Sequence, residues 1–348
     1  MSASQWIRMM LPGIAFAVAL ALAAKALWYV SGSAVSPVLC AIALGILWKN
    51  VIGTGVWSEA GVDFAGRQLL RVGIALIGLR LTLLILADVS VSAVPVVLAA
   101  VTVALLTALG LGRLLGVSAG MRQLLAAGTA ICGCTAIIAV APAIHARKAD
   151  VGIALTCVVL FGSLAMVSYP WLAGALFGDD ARQAGMFLGA SIHDTSQVVG
   201  ASLIYAEQFG VADAVPIAGL TKFLRTLGLL VLVPAAAWWA ARESPTESSG
   251  AAAGLGRRAV PVFVLCFVGL VILRTAGDAW AGAWMPQWQA ALGYAQIASE
   301  WLLLIGMAAV GLGVTFSHLR ESGWRPIVLA FIAAALTGAT ALTVLRFL

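Results

Sequence analysis

The sequence predicts an all-α, polytopic membrane protein with about eleven transmembrane helices, at least one of them broken, and an internal repeat. Three observations carry that prediction. Of 348 residues, 62% are hydrophobic and 10% charged, with a mean hydropathy of +1.06, which excludes an ordinary water-soluble domain. The apolar residues fall in successive runs near the roughly 20 residues that cross about 30 Å of hydrocarbon. The stretches between runs are too short for a soluble domain, so residues 1–348 read as one integral membrane domain.

In chain order, the runs place spans near 11–30, 35–49, 68–87, 91–111, 122–144, 151–177, 185–206, 217–241, 259–277, 297–317 and 324–347. Arg8, the apolar run from Leu11 and the small pair Ala23 and Ala24 have the outline of a signal peptide; with ten further spans behind it, the segment reads as the first helix. Residues 50–66 and 278–296 read as interfacial connections. The second, DAWAGAWMPQWQAALGYAQ, interleaves Trp280, Trp284, Trp288 and Tyr294 with small and polar residues, as aromatic belts do. The polar stretch 242–258 reads as a cytoplasmic linker. On that assignment Arg8, Lys49, Arg67, Arg113, Arg122, Arg182, Arg320 and Arg325 fall inside, and chiefly Arg147, Lys148 and Arg346 outside. The asymmetry predicts an inner N-terminus; HARKAD at 145–150 is its weak point, and a broken span near 128–144 would remove the conflict.

Several function classes are excluded. The formal charge of +6 comes from Lys and Arg scattered between apolar runs, never a basic block, so nucleic acid is not a partner. Cys40, Cys132, Cys134, Cys157 and Cys266 lie in apolar segments without CxxC or His at ligand spacing, so no disulfide framework, metal or cofactor is expected. No GxxxxGK[ST] motif occurs, which argues against intrinsic ATP hydrolysis.

The sharpest functional signal is GMFLGASIHDTSQVVGAS at 185–202, which sets His193, Asp194, Ser196 and Gln197 inside an apolar span. A charge there costs several kcal/mol on insertion, so it faces a partner, a cavity or an ion path. Gln197 is four residues from His193 and three from Asp194, so all three can share one side of a helix, with the pair as a proton or ion switch. GTAICGCTAIIAVAPAIH at 128–145 carries Gly128, Gly133 and Pro142, which permit a discontinuous helix. A break would expose backbone amides near Thr129, Ile131, Cys132, Gly133, Cys134 and Thr135 to an anion. Lys222 and Arg225, three apart, can share a face and supply opposite charge, while Ser191, Ser196 and Gln197 beside His193 and Asp194 complete the candidate substrate-binding set. Arg71 is the better inward candidate of the pair Arg71 and Arg80. The repeat matches LLRVGIALIGLRLT at 69–82 with LLLIGMAAVGLGVT at 302–315, pairing Gly73, Ala75, Gly78, Leu79 and Thr82 with Gly306, Ala308, Gly311, Leu312 and Thr315. Each copy precedes a long apolar span, an arrangement common in transporters; whether the repeat is inverted is left open.

These motifs, with FGSLAMVSYP, TKFLRTLGLL and the late AAVGLGVT, together resemble the YeiH-like family, labelled sulfate exporters, from about residue 10 onward. The resemblance implies a bacterial inner-membrane protein with a fold similar to cation/proton antiporters and bile-acid-type transporters, including two broken helices. The family-like histidine, acidic residue and glutamine fall on His193, Asp194 and Gln197, and the basic pair on Lys222 and Arg225. GCTAI replaces more familiar forms of the glycine motif, which bears on selectivity.

The reading is a secondary transporter for a small anion, sulfate or another oxidised sulfur compound, coupled to protons or sodium. Membrane lipid surrounds it, and monomer and homodimer are both open. Two other classes compete: a monovalent cation/proton antiporter with Asp194 as its carboxylate, and a membrane-embedded enzyme with His193 and Asp194 as base and Cys132 or Ser191 as nucleophile.

Overall fold

The computed structural model describes residues 3–30, 36–228, 262–314 and 323–348. The expected linker 242–258, the later part of span 217–241, Thr315 and Arg320 lie outside the described residues. Five described helices are long and apolar enough to cross a membrane: Arg8–Val30, Leu83–Leu114, Ala149–Phe177, Met285–Gly313 and Trp324–Leu345. Large apolar side chains such as Leu84, Leu98, Leu265 and Phe331 stand exposed along the helices. In water that would be costly, whereas lipid covers such a surface without penalty. The chain divides into two compact units, the first made of Met1–Leu86, Leu203–Pro216 and Val262–Phe316, the second of Ala87–Ser202, Ile217–Pro261 and Ser317–Leu348.

The first unit holds α1 (Ala3–Val30), α2 (Pro37–Val51), α3 (Val56–Phe64) and α4 (Leu70–Ile77). It also holds the late helices Val262–Trp280 and Met285–Gly313. Ser36 caps α2, its hydroxyl accepting from Leu39 N at 3.3 Å, with Pro37 opening the helix. Small residues let backbones approach: a Cβ on Gly45 of α2 would lie 2.6 Å from the carbonyl oxygen of Ala308.

Four expectations are corrected in this unit. Residues 50–66 were expected as a connection, but α3 runs into α4 through one π turn at Ala65–Leu69. The expected division between spans 68–87 and 91–111 moves back. The helix ends in the turn Gly78–Arg80, Leu81 is extended at φ −114° and ψ 146°, and α5 (Leu83–Leu106) restarts at once. Helix Val262–Trp280 completes that break: Arg274 Nη1 donates to Leu79 O at 3.0 Å, and Thr275 Oγ1 accepts from Leu83 N at 2.9 Å. Much of 278–296, expected as a connection, is helix from Met285 onward, although Trp280, Trp284 and Tyr294 are exposed as a belt requires. Arg71 does not point inward; it is exposed, with its guanidinium 5.9 Å from the centre of the Phe263 ring.

In the second unit α5 passes through a π turn at Thr107–Leu111 into α6 (Gly112–Leu114). Next come α7 (Ala119–Ala130), α8 (Cys134–Ala143), α9 (Lys148–Phe177), α10 (Ala181–Ser191), α11 (Thr195–Phe209) and α12 (Ala214–Leu227). We number the late helices α13 (Val262–Trp280), α14 (Met285–Gly313) and α15 (Trp324–Leu345). The core of the second unit gathers Met121, Leu124 and Leu125 of α7, Ile137 of α8, Ala154, Cys157 and Val158 of α9, and Leu329 and Ala330 of α15. Pro142 does not interrupt α8; it sits in the last turn, and the interruption falls earlier, at Gly133.

Candidate functional site

Two helical paths of the second unit are interrupted, between α7 and α8 at residues 131–133 and between α10 and α11 at residues 192–194. Gly133 takes φ 64° and ψ −126°, a conformation that side chains rarely adopt. A Cβ there would also lie 2.8 Å from Asp194 Oδ2 and 3.1 Å from Asp194 Cα, so the glycine is what lets the two breaks touch.

A helix end leaves carbonyls without partners where it stops and N–H groups without partners where it restarts. The carbonyls here are answered from α12. Lys222 and Arg225 share one face, as their spacing predicts, and both are 0% exposed. Lys222 Nζ donates to Ile131 O and Ile192 O at 2.9 Å each, and to His193 O. Arg225 donates from Nε to Ala130 O at 2.6 Å, from Nη1 to Ala190 O at 2.5 Å and Ile192 O at 3.2 Å, and from Nη2 to Thr129 O. Two cations thus bind the C-terminal ends of both first halves, where the helix dipole is negative. Every Nζ proton of Lys222 is taken by a carbonyl, so in this conformation its influence on an anion is exerted through its charge.

The restarting end of α11 is answered by Asp194. Its Oδ1 accepts from Ser196 N at 3.0 Å and Ser196 Oγ at 2.6 Å, while Gln197 Oε1 accepts from Asp194 N at 3.3 Å. This reciprocal capping box puts a carboxylate at the positive helix end. It also corrects the expectation that His193, Asp194 and Gln197 share a helix side: His193 lies in the break, Asp194 caps and only Gln197 is helical. The Gln197 amide is pinned on α9, donating to Val159 O at 3.0 Å and Ser163 Oγ at 3.2 Å, over Gly162, where any Cβ would collide with it.

His193 is 1% exposed, and neither ring nitrogen has a hydrogen-bond partner among the described residues. Thr129, Ile131, Cys132 and Gly133 are buried around the first break, with Cys134 half-buried and Thr135 exposed in the first turn of α8. Ser191 Oγ donates to Phe187 O at 2.6 Å and Thr129 Oγ1 to Leu125 O at 2.7 Å, so both hydroxyls are turned into their own helices. The hydrogen bond from Ser191 to His193 that a nucleophile and its base would share is not formed. The structure therefore brings the two predicted segments and the basic pair together. The sequence reading missed the carbonyls of Ala130, Ala190 and Ile192 as ligands, and the α9 residues Val159, Gly162 and Ser163 as the seat for Gln197.

The family model described as Conserved hypothetical protein 698 matches residues 12–330. Among similar chains, the UPF0324 membrane protein RA0957 of Rhizobium meliloti (strain 1021) is 31% identical over 332 residues, 94% of this chain and 89% of that one. The UPF0324 membrane protein TauZ of Paracoccus pantotrophus is 32% identical over 317 residues, 90% and 89% of the two chains. The UPF0324 inner membrane protein YeiH of Escherichia coli (strain K12) is 30% identical over 342 residues, 93% and 90%. No solved structure matches.

Proposed function

The chain belongs to the Conserved hypothetical protein 698 family, the YeiH-like membrane proteins, and we propose that it is a secondary transporter of a small anion in the bacterial inner membrane. The observation that carries this reading is the charge at the two breaks: Lys222 and Arg225, both fully buried, against the single carboxylate of Asp194. Two half-helix starts and two half-helix ends cancel one another's dipoles, so the excess of one positive charge attracts an anion. The same excess favours an anion over the cation of the antiporter reading.

In the proposed cycle the substrate is an oxidised sulfur anion such as sulfate. It is received by the backbone near Gly133–Thr135 and the start of α11, in the field of the basic pair. Asp194 competes for those same helix starts, so its protonation would free them as the anion arrives. His193, buried with both ring nitrogens unpartnered among the described residues, is the other residue proposed for the coupling step.

The proposed internal repeat would suit the transporter reading, and the contacts between its two copies support it. A Cβ on Gly73 would lie 3.0 Å from Leu303, and one on Gly306 2.8 Å from Leu70. Gly73 matches Gly306 and Leu70 matches Leu303 at one offset, so these are exchanged contacts of the kind a two-fold relation produces. The helices that follow the two copies, α5 and α15, each carry the first half of a broken path: α7 packs on the π turn ending α5, and α10 packs on α15. Two related halves around a site suit alternating access.

The test is flux in proteoliposomes with sulfate, sulfite, thiosulfate and organosulfonates. The reading expects at least one to be moved at a rate set by an imposed proton or sodium gradient. Exchange of a monovalent cation for protons with every anion inert would replace it by the antiporter reading.

A further inference from the structure

The first unit contains a cavity of about 260 Å³ that the proposed anion path does not use. It lies where α1 and α11 end and α2 and α12 begin, and α14 and the Gly78–Arg80 turn close it. The topology read from the basic residues puts these helix ends on the outer side of the membrane.

Four charged side chains line it, Lys25, Arg80, Glu207 and Glu300, with Gln296 and the face of Trp301 beside them. Some of their hydrogen-bonding capacity is committed. Arg80 Nη2 and Gln296 Nε2 both donate to Glu300 Oε1 at 3.0 Å, and Glu207 Oε2 accepts from Ser36 Oγ. Glu207 also accepts from the backbone N–H of Val38, and the groups that follow are open among the described residues. Lys25 Nζ stands 4.3 Å from the centre of the Trp301 ring and makes no hydrogen bond, and Glu300 Oε2 and Nε and Nη1 of Arg80 have no partner.

Charge sign selects the ligand. Two cations face two carboxylates, so the cavity is neutral as a whole. A lone anion would meet the carboxylates and a lone cation the ammonium and guanidinium. A molecule carrying both signs satisfies both sets, and it can reach them directly because Lys25, Glu207 and Glu300 are exposed. At roughly 30 Å³ per water, the space holds several waters, which suits a small solute and excludes a peptide.

We infer that this cavity is a second binding site, for a small zwitterion whose acid group meets Lys25 and Arg80 while its ammonium meets Glu207 and Glu300 along the Trp301 face. This site is separate in chemistry from the anion path, whose cations are all engaged with carbonyls.

Calorimetry on the detergent-purified full chain tests it with glycine, β-alanine and 4-aminobutyrate, against propionate and propylamine, which carry one charge each. At least one zwitterion is expected to bind tenfold or more tighter than both single-charge compounds. Lys25→Met and Glu207→Gln are each expected to weaken it about tenfold. If Glu207→Gln fails to fold, Lys25→Met decides, because Lys25 is exposed and makes no hydrogen bond among the described residues. No zwitterion preferred over propionate and propylamine, or wild-type affinity in folded Lys25→Met, overturns the inference. The readout is binding, so either result is independent of whether the second unit moves an anion.

Discussion

Replacing Lys222 by Met should destabilise the second unit by about 2–5 kcal/mol. Methionine keeps an unbranched chain of similar length, so the packing of α12 is largely preserved while all three donors disappear. Lys222 serves the carbonyls of Ile131, Ile192 and His193. Ile192 O keeps a second donor in Arg225 at 3.2 Å, so two carbonyls lose their partner. A buried polar group left unsatisfied costs roughly 1–3 kcal/mol, which gives about 2–6 kcal/mol for the pair. Relief from burying the ammonium lowers the upper figure somewhat. The assay is unfolding in mixed micelles with increasing dodecyl sulfate, followed by circular dichroism. Thiol labelling provides a local readout, since Cys132 in the first break is 3% exposed and should become reactive as that break loosens. Stability within about 0.5 kcal/mol of wild type, with Cys132 still protected, would refute the claim that this cation holds the broken helices together.

Two further outcomes follow from the same contacts. Gly133→Ala should cost about 2–5 kcal/mol, roughly 1–3 for the backbone conformation and the rest for overlap with Asp194, and a folded variant of wild-type stability in the same titration would count against the touching breaks. Asp278, beyond the expected span 259–277, has its carboxyl held below the usual carboxylate range by the hydrogen bond from Arg274, with Trp288 Nε1 adding a second at 2.8 Å. A depressed folded-state value means that this cluster stabilises above the ordinary carboxylate range and loses that contribution as pH falls through the folded value. Melting curves of wild type and Asp278→Asn should therefore converge on acidification; a gap that persists at the acid end contradicts the assignment.

The membrane class was legible because hydropathy needs no tertiary information. Lys222 and Arg225 were placed correctly on one face because spacing alone fixes that on a helix. Their partners were not legible, since backbone carbonyls leave no side-chain pattern. The first break was signalled by Gly133. The second was written as a capping box, Asp194 with Gln197 three residues on, which marks a helix start. The apolar run through 185–206 masked it, because hydrophobic periodicity continues across an interruption that stays buried. The same cause hid the division at Leu81: the hydrophobic run continues on both sides of Arg80, and the groups that complete the break, Arg274 and Thr275, come from α13, far along the chain. The connection expected at 50–66 was helix because Glu59, Asp63 and Arg67 are polar without breaking helical geometry, and Asp63 pairs with Arg67 one turn away at 2.7 Å.

The most direct test of the anion-transport account is initial flux of the transported anion into proteoliposomes under imposed pH gradients, wild type against Asp194→Asn. Asparagine keeps the volume and the capping acceptor of Asp194 but cannot release a proton. The account predicts that the gradient stimulates wild-type uptake and leaves Asp194→Asn uptake flat, with anion binding retained. Equal stimulation of both, in protein checked for fold and orientation, would contradict it.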